Sequence, residues 1–86
     1  MPCIARFHGI AIYMYWTEHG PPHLHARYAD GEAAYNLETL ELHEGNPPAR
    51  VSQLVRRWMQ QHPAELLDNW QRCRRKETPL QVEPLD

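Results

Sequence analysis

The sequence predicts an α+β protein, with an antiparallel sheet of three to five strands in the N-terminal half packed against two C-terminal helices. In the first half, apolar and polar residues alternate between glycine-containing turns, as they do in half-buried strands. In the second half, apolar residues recur at helical spacing on both sides of Pro63. We expect a single domain over residues 1–86, with strands at about 3–43, helices at about 47–76 and an extended tail at 77–86.

The first two strands, at about 3–7 and 10–16, are predicted from the turn dipeptide His8-Gly9 between them. Glycine readily takes the positive φ that a two-residue hairpin turn requires. The second strand is apolar on both faces, which is typical of a strand covered on both sides. We therefore predict that this strand is central and that Trp16 at its end belongs to the core.

A second hairpin is predicted at Asp30-Gly31, a dipeptide that strongly favours a two-residue turn. It would join strands at about 23–29 and 32–37. Residues 39–43 alternate again and predict a short fifth strand.

The position of this turn sets which side chains share a face of the sheet. With Asp30 and Gly31 as the loop, His25 pairs with Asn36 and His23 pairs with Glu38. Successive strand residues point to opposite faces, so one face is apolar and is expected to lie under the helices. The other face is predicted to be an exposed polar strip of His23, His25, Arg27, Asn36 and Glu38.

Prolines mark the starts of both predicted helices. Asn46-Pro47 places a favourable cap residue before a proline at the first helical position, and a helix of about 14 residues follows. Pro63 disfavours helical geometry in the preceding residue and begins the second helix. Trp58 and Trp70 lie on the apolar stripes of the two helices, so we expect both in the core.

Composition and charge argue against several classes of protein. The net charge is -2 at pH 7, so the chain lacks the positive excess with which proteins bind nucleic acid directly. Cys3 and Cys73 match no metal or redox spacing, which favours reduced thiols in a cytoplasmic protein. The sequence has neither a signal-peptide pattern nor an apolar run of membrane-spanning length, so we expect no membrane association.

Three of the six histidines lie within the seven residues His19-Gly20-Pro21-Pro22-His23-Leu24-His25. One hypothesis is a divalent metal site for zinc or nickel, because imidazole and carboxylate groups are ligands of these metals. The ligands would be His19, His23, His25 and either Glu38 or Glu18. The structural alternative is a loop in which the imidazoles are hydrogen-bonded to main-chain carbonyls or to Glu38.

A further hypothesis is a ribonuclease that needs no metal. His23 and His25 would act as general base and acid, and Arg27 would stabilise the developing charge. The acidic net charge argues against this activity. Covalent catalysis is less favoured still, because Ser52 is the only serine and falls within a predicted helix.

The remaining hypothesis is a protein-binding surface, because aromatic residues beside histidine and arginine are typical of interface cores. Either a second protein or another copy of the chain would be the partner. The predicted surface consists of Tyr15, His19, Pro21, Pro22, His23, His25, Arg27, Asn36 and Glu38.

Several segments together carry a family resemblance: Ile4-Ala5-Arg6-Phe7, Tyr15-Trp16, the segment 19–25, Trp58 and Asn69-Trp70. With them the chain resembles a small bacterial family catalogued as domain of unknown function 4160. In that family the residue between the last two histidines is usually phenylalanine, and here it is Leu24.

The resemblance implies a small α+β protein of unestablished biochemistry. Members are often encoded beside a second small protein, in an arrangement like a toxin–antitoxin or regulatory pair. We therefore expect an accessory or regulatory protein rather than an enzyme. It would act by binding the small protein encoded by a neighbouring gene.

Overall fold

The computed structural model describes residues 3–16 and 19–86, and in these residues a five-stranded sheet precedes two helices. The strands form one antiparallel sheet in the order β1-β2-β3-β4-β5. The predicted α+β class is confirmed, and a fifth strand is present. The elements are β1 (Cys3–Phe7), β2 (Ile10–Tyr13), β3 (His23–Tyr28), β4 (Gly31–Asn36), β5 (Leu42–Glu44), α1 (Ala49–Gln61) and α2 (Pro63–Arg74).

The first hairpin has the predicted turn. Phe7 pairs with Ile10, and His8 and Gly9 both have positive φ, at 50° and 79°. The strand β2 ends at Tyr13, earlier than predicted, and Tyr13 is also the last of its residues that pairs with β1 and with β3. The strand lies between β1 and β3 and is therefore an interior strand, as predicted, although the middle strand of the five is β3.

The second hairpin turns one residue earlier than predicted. Its loop is Ala29-Asp30, and Tyr28 pairs with Gly31. Gly31 does not have a positive φ. Its lack of a side chain instead makes room for Tyr28, whose hydroxyl oxygen lies 2.9 Å from where a Cβ would be. The glycine therefore does not serve turn geometry, and the Tyr28 side chain packs over it.

This earlier turn shifts the register of β3 against β4 by two residues. Because side chains alternate with a period of two, every residue stays on its predicted face. The residues that lie opposite one another nevertheless change. His23 is opposite Asn36, His25 is opposite Ala34, and the predicted pairs of His25 with Asn36 and of His23 with Glu38 are wrong.

The apolar face of the sheet packs against the helices, as predicted. Its residues share one core with side chains of α1 and α2, and Trp58 and Trp70 are both buried. Trp16, by contrast, has 46% of its surface exposed, so its predicted place in the core is wrong. It follows the end of β2 and therefore has no sheet to hold it against the core.

The two helices differ in how they begin. Pro63 is the first residue of α2, as predicted. The first helix begins at Ala49 and has Pro48 at its cap position, with no side-chain cap, so the predicted start at Asn46-Pro47 is wrong. Pro48 explains the later start, because a proline disfavours helical geometry in the residue before it.

Residues 77–86, the predicted tail, contain neither helix nor strand and are packed against the domain. Val82 and Leu85 belong to the core, and the Val82 N–H donates to the Ile4 main-chain oxygen of β1 at 2.9 Å. In the part of the chain that the structure describes, neither helix is long and apolar enough to cross a membrane.

Candidate functional site

The sheet face turned away from the core carries a group of ring-bearing side chains. The pairing of β2 with β3 brings Tyr13 opposite His25, and the alternation of β3 places His23 and Arg27 on the same face as His25. Tyr15, two residues after Tyr13, contacts both the Tyr13 and the His25 rings. We call this set, Tyr13, Tyr15, His23, His25 and Arg27, the aromatic face.

The rings of the aromatic face form a continuous row. Tyr13 stacks on Tyr15 with 6.2 Å between ring centroids and an interplanar angle of 5°. Tyr15 meets the His25 ring edge-on at 4.7 Å, and His25 meets His23 edge-on at 5.2 Å. Offset-stacked and edge-on arrangements are the ones that aromatic pairs prefer. The row is therefore fixed by its own contacts.

His23 forms the buried end of the row. It is only 6% exposed, so its predicted place on an exposed strip is wrong. Trp70 of α2 and His43 of β5 lie against its ring, with centroids at 5.2 Å and 5.6 Å. Its Nδ1 lies 2.8 Å from the Pro21 main-chain oxygen, which can only accept, so Nδ1 donates. This is the hydrogen bond to a carbonyl expected of a structural loop.

Glu32 connects two side chains of the aromatic face, His25 and Arg27. Arg27 Nε donates to its Oε1 at 3.0 Å, and His25 Nδ1 lies 3.1 Å from its Oε2. The hydrogen bond to Glu32 raises the pKa of the Arg27 guanidinium. That guanidinium also lies over the Tyr13 ring, 5.0 Å from the centroid, within cation–π range. One carboxylate therefore positions both an imidazole and a guanidinium.

An open depression of about 330 Å³ lies beside this carboxylate, between β4 and the end of β5. His25, Glu32 and Glu44 contribute its polar groups. Gly45 forms part of its wall with a φ of 100°, and a Cβ there would lie 2.6 Å from the Glu32 main-chain oxygen. The glycine therefore permits the close approach of this segment to β4.

Two predicted members of the polar strip lie at the end of β4 and have a different role there. The Asn36 Oδ1 accepts hydrogen bonds from the N–H groups of Glu38 and Thr39, at 2.7 Å and 2.9 Å. Glu38 is exposed in that turn and does not lie opposite His23. Asn36 therefore stabilises the turn after the strand.

The remaining predicted residues lie in the loop before β3. His19 and Pro21 are exposed, and Pro22 is half-buried, with its main-chain oxygen accepting the Leu37 N–H at 2.9 Å. Within residues 3–16 and 19–86, no group of three or more His, Cys, Asp or Glu side chains is arranged to hold a metal ion. The alternative predicted ligand Glu18 lies outside the described residues.

Sequence reasoning missed several residues of this region. The predicted surface did not include Tyr13 or Glu32, and with Asp30-Gly31 as the loop Glu32 would lie opposite Ala29. With Ala29-Asp30 as the loop, the register alone would have placed Glu32 opposite Arg27. The contact of His43 with His23 has no signal in the sequence, because it depends on the irregular pairing of β5.

The fold and this face together define a small α+β protein whose sheet carries a row of aromatic and imidazole rings opposite its core. The chain belongs to the family described as domain of unknown function (DUF4160), whose model matches residues 9–71. The match includes the histidine loop and the whole aromatic face. No match was found among curated proteins or among solved structures.

Proposed function

We propose that this protein is a small cytoplasmic accessory or regulatory protein that binds another protein through its aromatic face, as one member of a toxin–antitoxin-like pair. The observation that carries the proposal is the row of rings from Tyr13 to His23. A sheet face that meets only water typically carries polar side chains, whereas this face presents tyrosine and histidine rings.

The composition and the order of this face both favour protein binding. Tyrosine, tryptophan and arginine are the side chains enriched among the residues that dominate binding energy at interfaces. Tyr15 is half-buried, and Trp16, the next residue, is 46% exposed. Contacts with Tyr13 and Glu32 favour one orientation of Arg27, which reduces the side-chain entropy that is lost when a partner binds it.

The proposed partner is the small protein encoded by a neighbouring gene, which is the arrangement that the family resemblance implies. A second copy of the chain is the alternative occupant of the same face. Direct nucleic-acid binding is not proposed, because the chain has a net charge of -2.

Co-expression of the chain with the product of the neighbouring gene tests this proposal. We expect the two proteins to co-purify, and we expect Tyr15→Ala or His25→Ala to weaken their association while the circular dichroism spectrum stays unchanged. Failure of the pair to associate, or association that survives both substitutions in folded protein, would contradict the proposal. Size-exclusion chromatography of the chain alone distinguishes self-association from binding of the neighbour.

The chain offers a matched pair of exposed apolar residues as a control. Trp16 and Leu67 are 46% and 43% exposed, but Trp16 directly follows Tyr15 of the aromatic face in the chain and Leu67 lies on α2. Trp16→Arg and Leu67→Arg add the same charge at similar exposure. Only Trp16→Arg is expected to reduce co-purification.

A further inference from the structure

Three apolar residues of the tail are buried at regular intervals of three, while the residues between them are exposed. The buried residues are Pro79, Val82 and Leu85. A period of three is that of the polyproline II helix, in which every third side chain returns to the same side. The prolines of the tail, Pro79 and Pro84, fix a φ compatible with that conformation. The tail therefore has the pattern of an extended peptide ligand bound along one side.

The domain holds this peptide largely by its main chain. Asn69 donates from Nδ2 to the Leu80 oxygen at 2.8 Å and accepts the Leu80 N–H on Oδ1 at 2.7 Å. The Trp58 indole N–H donates to the Glu83 oxygen at 2.7 Å. The Val82 N–H donates to the Ile4 oxygen of β1. We call the surface formed by Ile4, Trp58 and Asn69 the tail groove.

These contacts resemble known modes of peptide recognition. Main-chain hydrogen bonds from fixed groups supply affinity, and pockets for regularly spaced side chains supply specificity. Asn69 is 1% exposed and uses both ends of its amide on Leu80. A main-chain N–H and C=O satisfy both ends of that amide, which an empty groove would leave to water or unpaired.

The segment that connects the tail to the domain is exposed and short. Residues 74–78 are all exposed, and Lys76 takes a left-handed φ of 62° directly before the tail. The tail does not fill the space available, because a cleft of about 70 Å³ remains between it and α2, lined by Asp68, Asn69 and Leu80. The family match includes Trp58 and Asn69 but ends at residue 71, before the tail.

We propose that the tail groove is a recognition site for an extended segment of another protein with apolar residues at every third position, and that residues 79–85 occupy it as a displaceable internal ligand. A tethered ligand on a short linker has an effective concentration on the order of millimolar. An external segment must therefore make additional contacts to displace the tail, and the cleft beside α2 provides room for them. The site is separate from the aromatic face and does not depend on its function.

Hydrogen exchange in the unmodified protein tests whether the tail can leave the groove. The Leu80 and Val82 amides, bonded to Asn69 and Ile4, report on the tail, and the amides of β3 report on the core. If the tail opens alone, its amides exchange at least about tenfold faster than those of β3, because their opening needs less free energy than global unfolding. Equal exchange rates would show that the tail opens only when the whole domain unfolds, and would overturn the proposal.

A binding experiment tests recognition of an external segment. The probe is a fluorescent peptide with the sequence of residues 77–86 and blocked ends, and the receptor is the full chain with Val82→Ser and Leu85→Ser in its own tail. We expect saturable binding to this receptor. Binding to the unmodified chain should be at least about tenfold weaker, because its intact tail competes with the peptide. A peptide of the same composition with the spacing of three removed is the control.

Two results of the binding experiment would overturn the proposal. One is a folded receptor that does not bind the peptide, and the other is equal binding of the control peptide. A receptor that does not fold would show that the tail is an essential part of the core, which also contradicts the proposal. In the folded receptor, Asn69→Ala should reduce peptide affinity, because it removes both hydrogen bonds to the ligand main chain.

Discussion

Arg27 and Glu32 lie directly opposite each other on β3 and β4, with 3.0 Å between Nε and Oε1. This pair exists only in the register with Ala29-Asp30 as the loop. Glu32 also contacts His25, so the pair connects the hairpin to the row of rings. Several consequences of this arrangement and of the surrounding core can be measured.

A double-mutant cycle on Arg27→Ala and Glu32→Ala tests the register. We expect a small, salt-sensitive coupling in thermal stability, because the two side chains are exposed and water screens their attraction. Arg27→Ala combined with Glu38→Ala is the control, because Glu38 lies in the turn after β4 and should show no coupling. Coupling of Arg27 to Glu38 but not to Glu32 would contradict the register.

Tyr35 and Ser52 form a partly buried hydrogen bond between the sheet and α1, with 2.8 Å between their hydroxyl oxygens. Ser52→Ala should lower the free energy of unfolding by about 1–3 kcal/mol, because it leaves the Tyr35 hydroxyl unpaired in the core. Combining it with Tyr35→Phe should cost less than the sum of the two single changes, since no polar group is then stranded. Chemical denaturation measures all three variants, and strict additivity would show that the bond contributes nothing.

Two glycines with positive φ provide a contrast between strain and collision. Gly45→Ala should destabilise the protein by about 3 kcal/mol, because the new Cβ adds a main-chain collision with Glu32 to an unfavourable φ. Gly20 has a φ of 87° but nothing within 4 Å of its Cβ position, so Gly20→Ala should cost only about 1 kcal/mol. Thermal melts compare the two, and equal losses would contradict the packing of Gly45 against β4.

The two cysteines should react with thiol reagents at different rates. Cys73 is buried, and this burial raises the pKa of its thiol, which lowers the fraction of reactive thiolate. Cys3 is partly exposed. We expect one thiol to be labelled rapidly near neutral pH and the second only on unfolding, and Cys3→Ser should abolish the fast phase. A fast phase that persists in Cys3→Ser would contradict the burial of Cys73.

The sequence was most informative where local chemistry determines the backbone. His8-Gly9 correctly predicted a turn, since glycine permits positive φ. Pro63 correctly predicted a helix start, since proline fixes φ. The error at Asp30-Gly31 arose because Gly31 has no positive φ and instead lies in β4, paired with Tyr28 across the hairpin. The predicted faces of the β3 side chains were still correct, because the register shifted by an even number of residues.

The burial of a side chain was harder to predict from the sequence than the face of the sheet on which the side chain lies. His23 lies on the predicted face but is covered by Trp70, which comes from a helix 47 residues later in the chain. Trp16 is exposed and lies beyond Tyr13, the last residue of β2. The sequence thus located the candidate site, but long-range packing decided which of its side chains reach the surface.

The central claim is that the aromatic face binds a partner protein, and chemical-shift mapping tests it most directly. The isotope-labelled chain would be titrated with the purified product of the neighbouring gene. We predict that the largest shifts occur at the amides of Tyr13, His25 and Arg27 and at the Trp16 indole. Shifts confined to α1, α2 and the tail, with these four signals unchanged at saturation, would contradict the account.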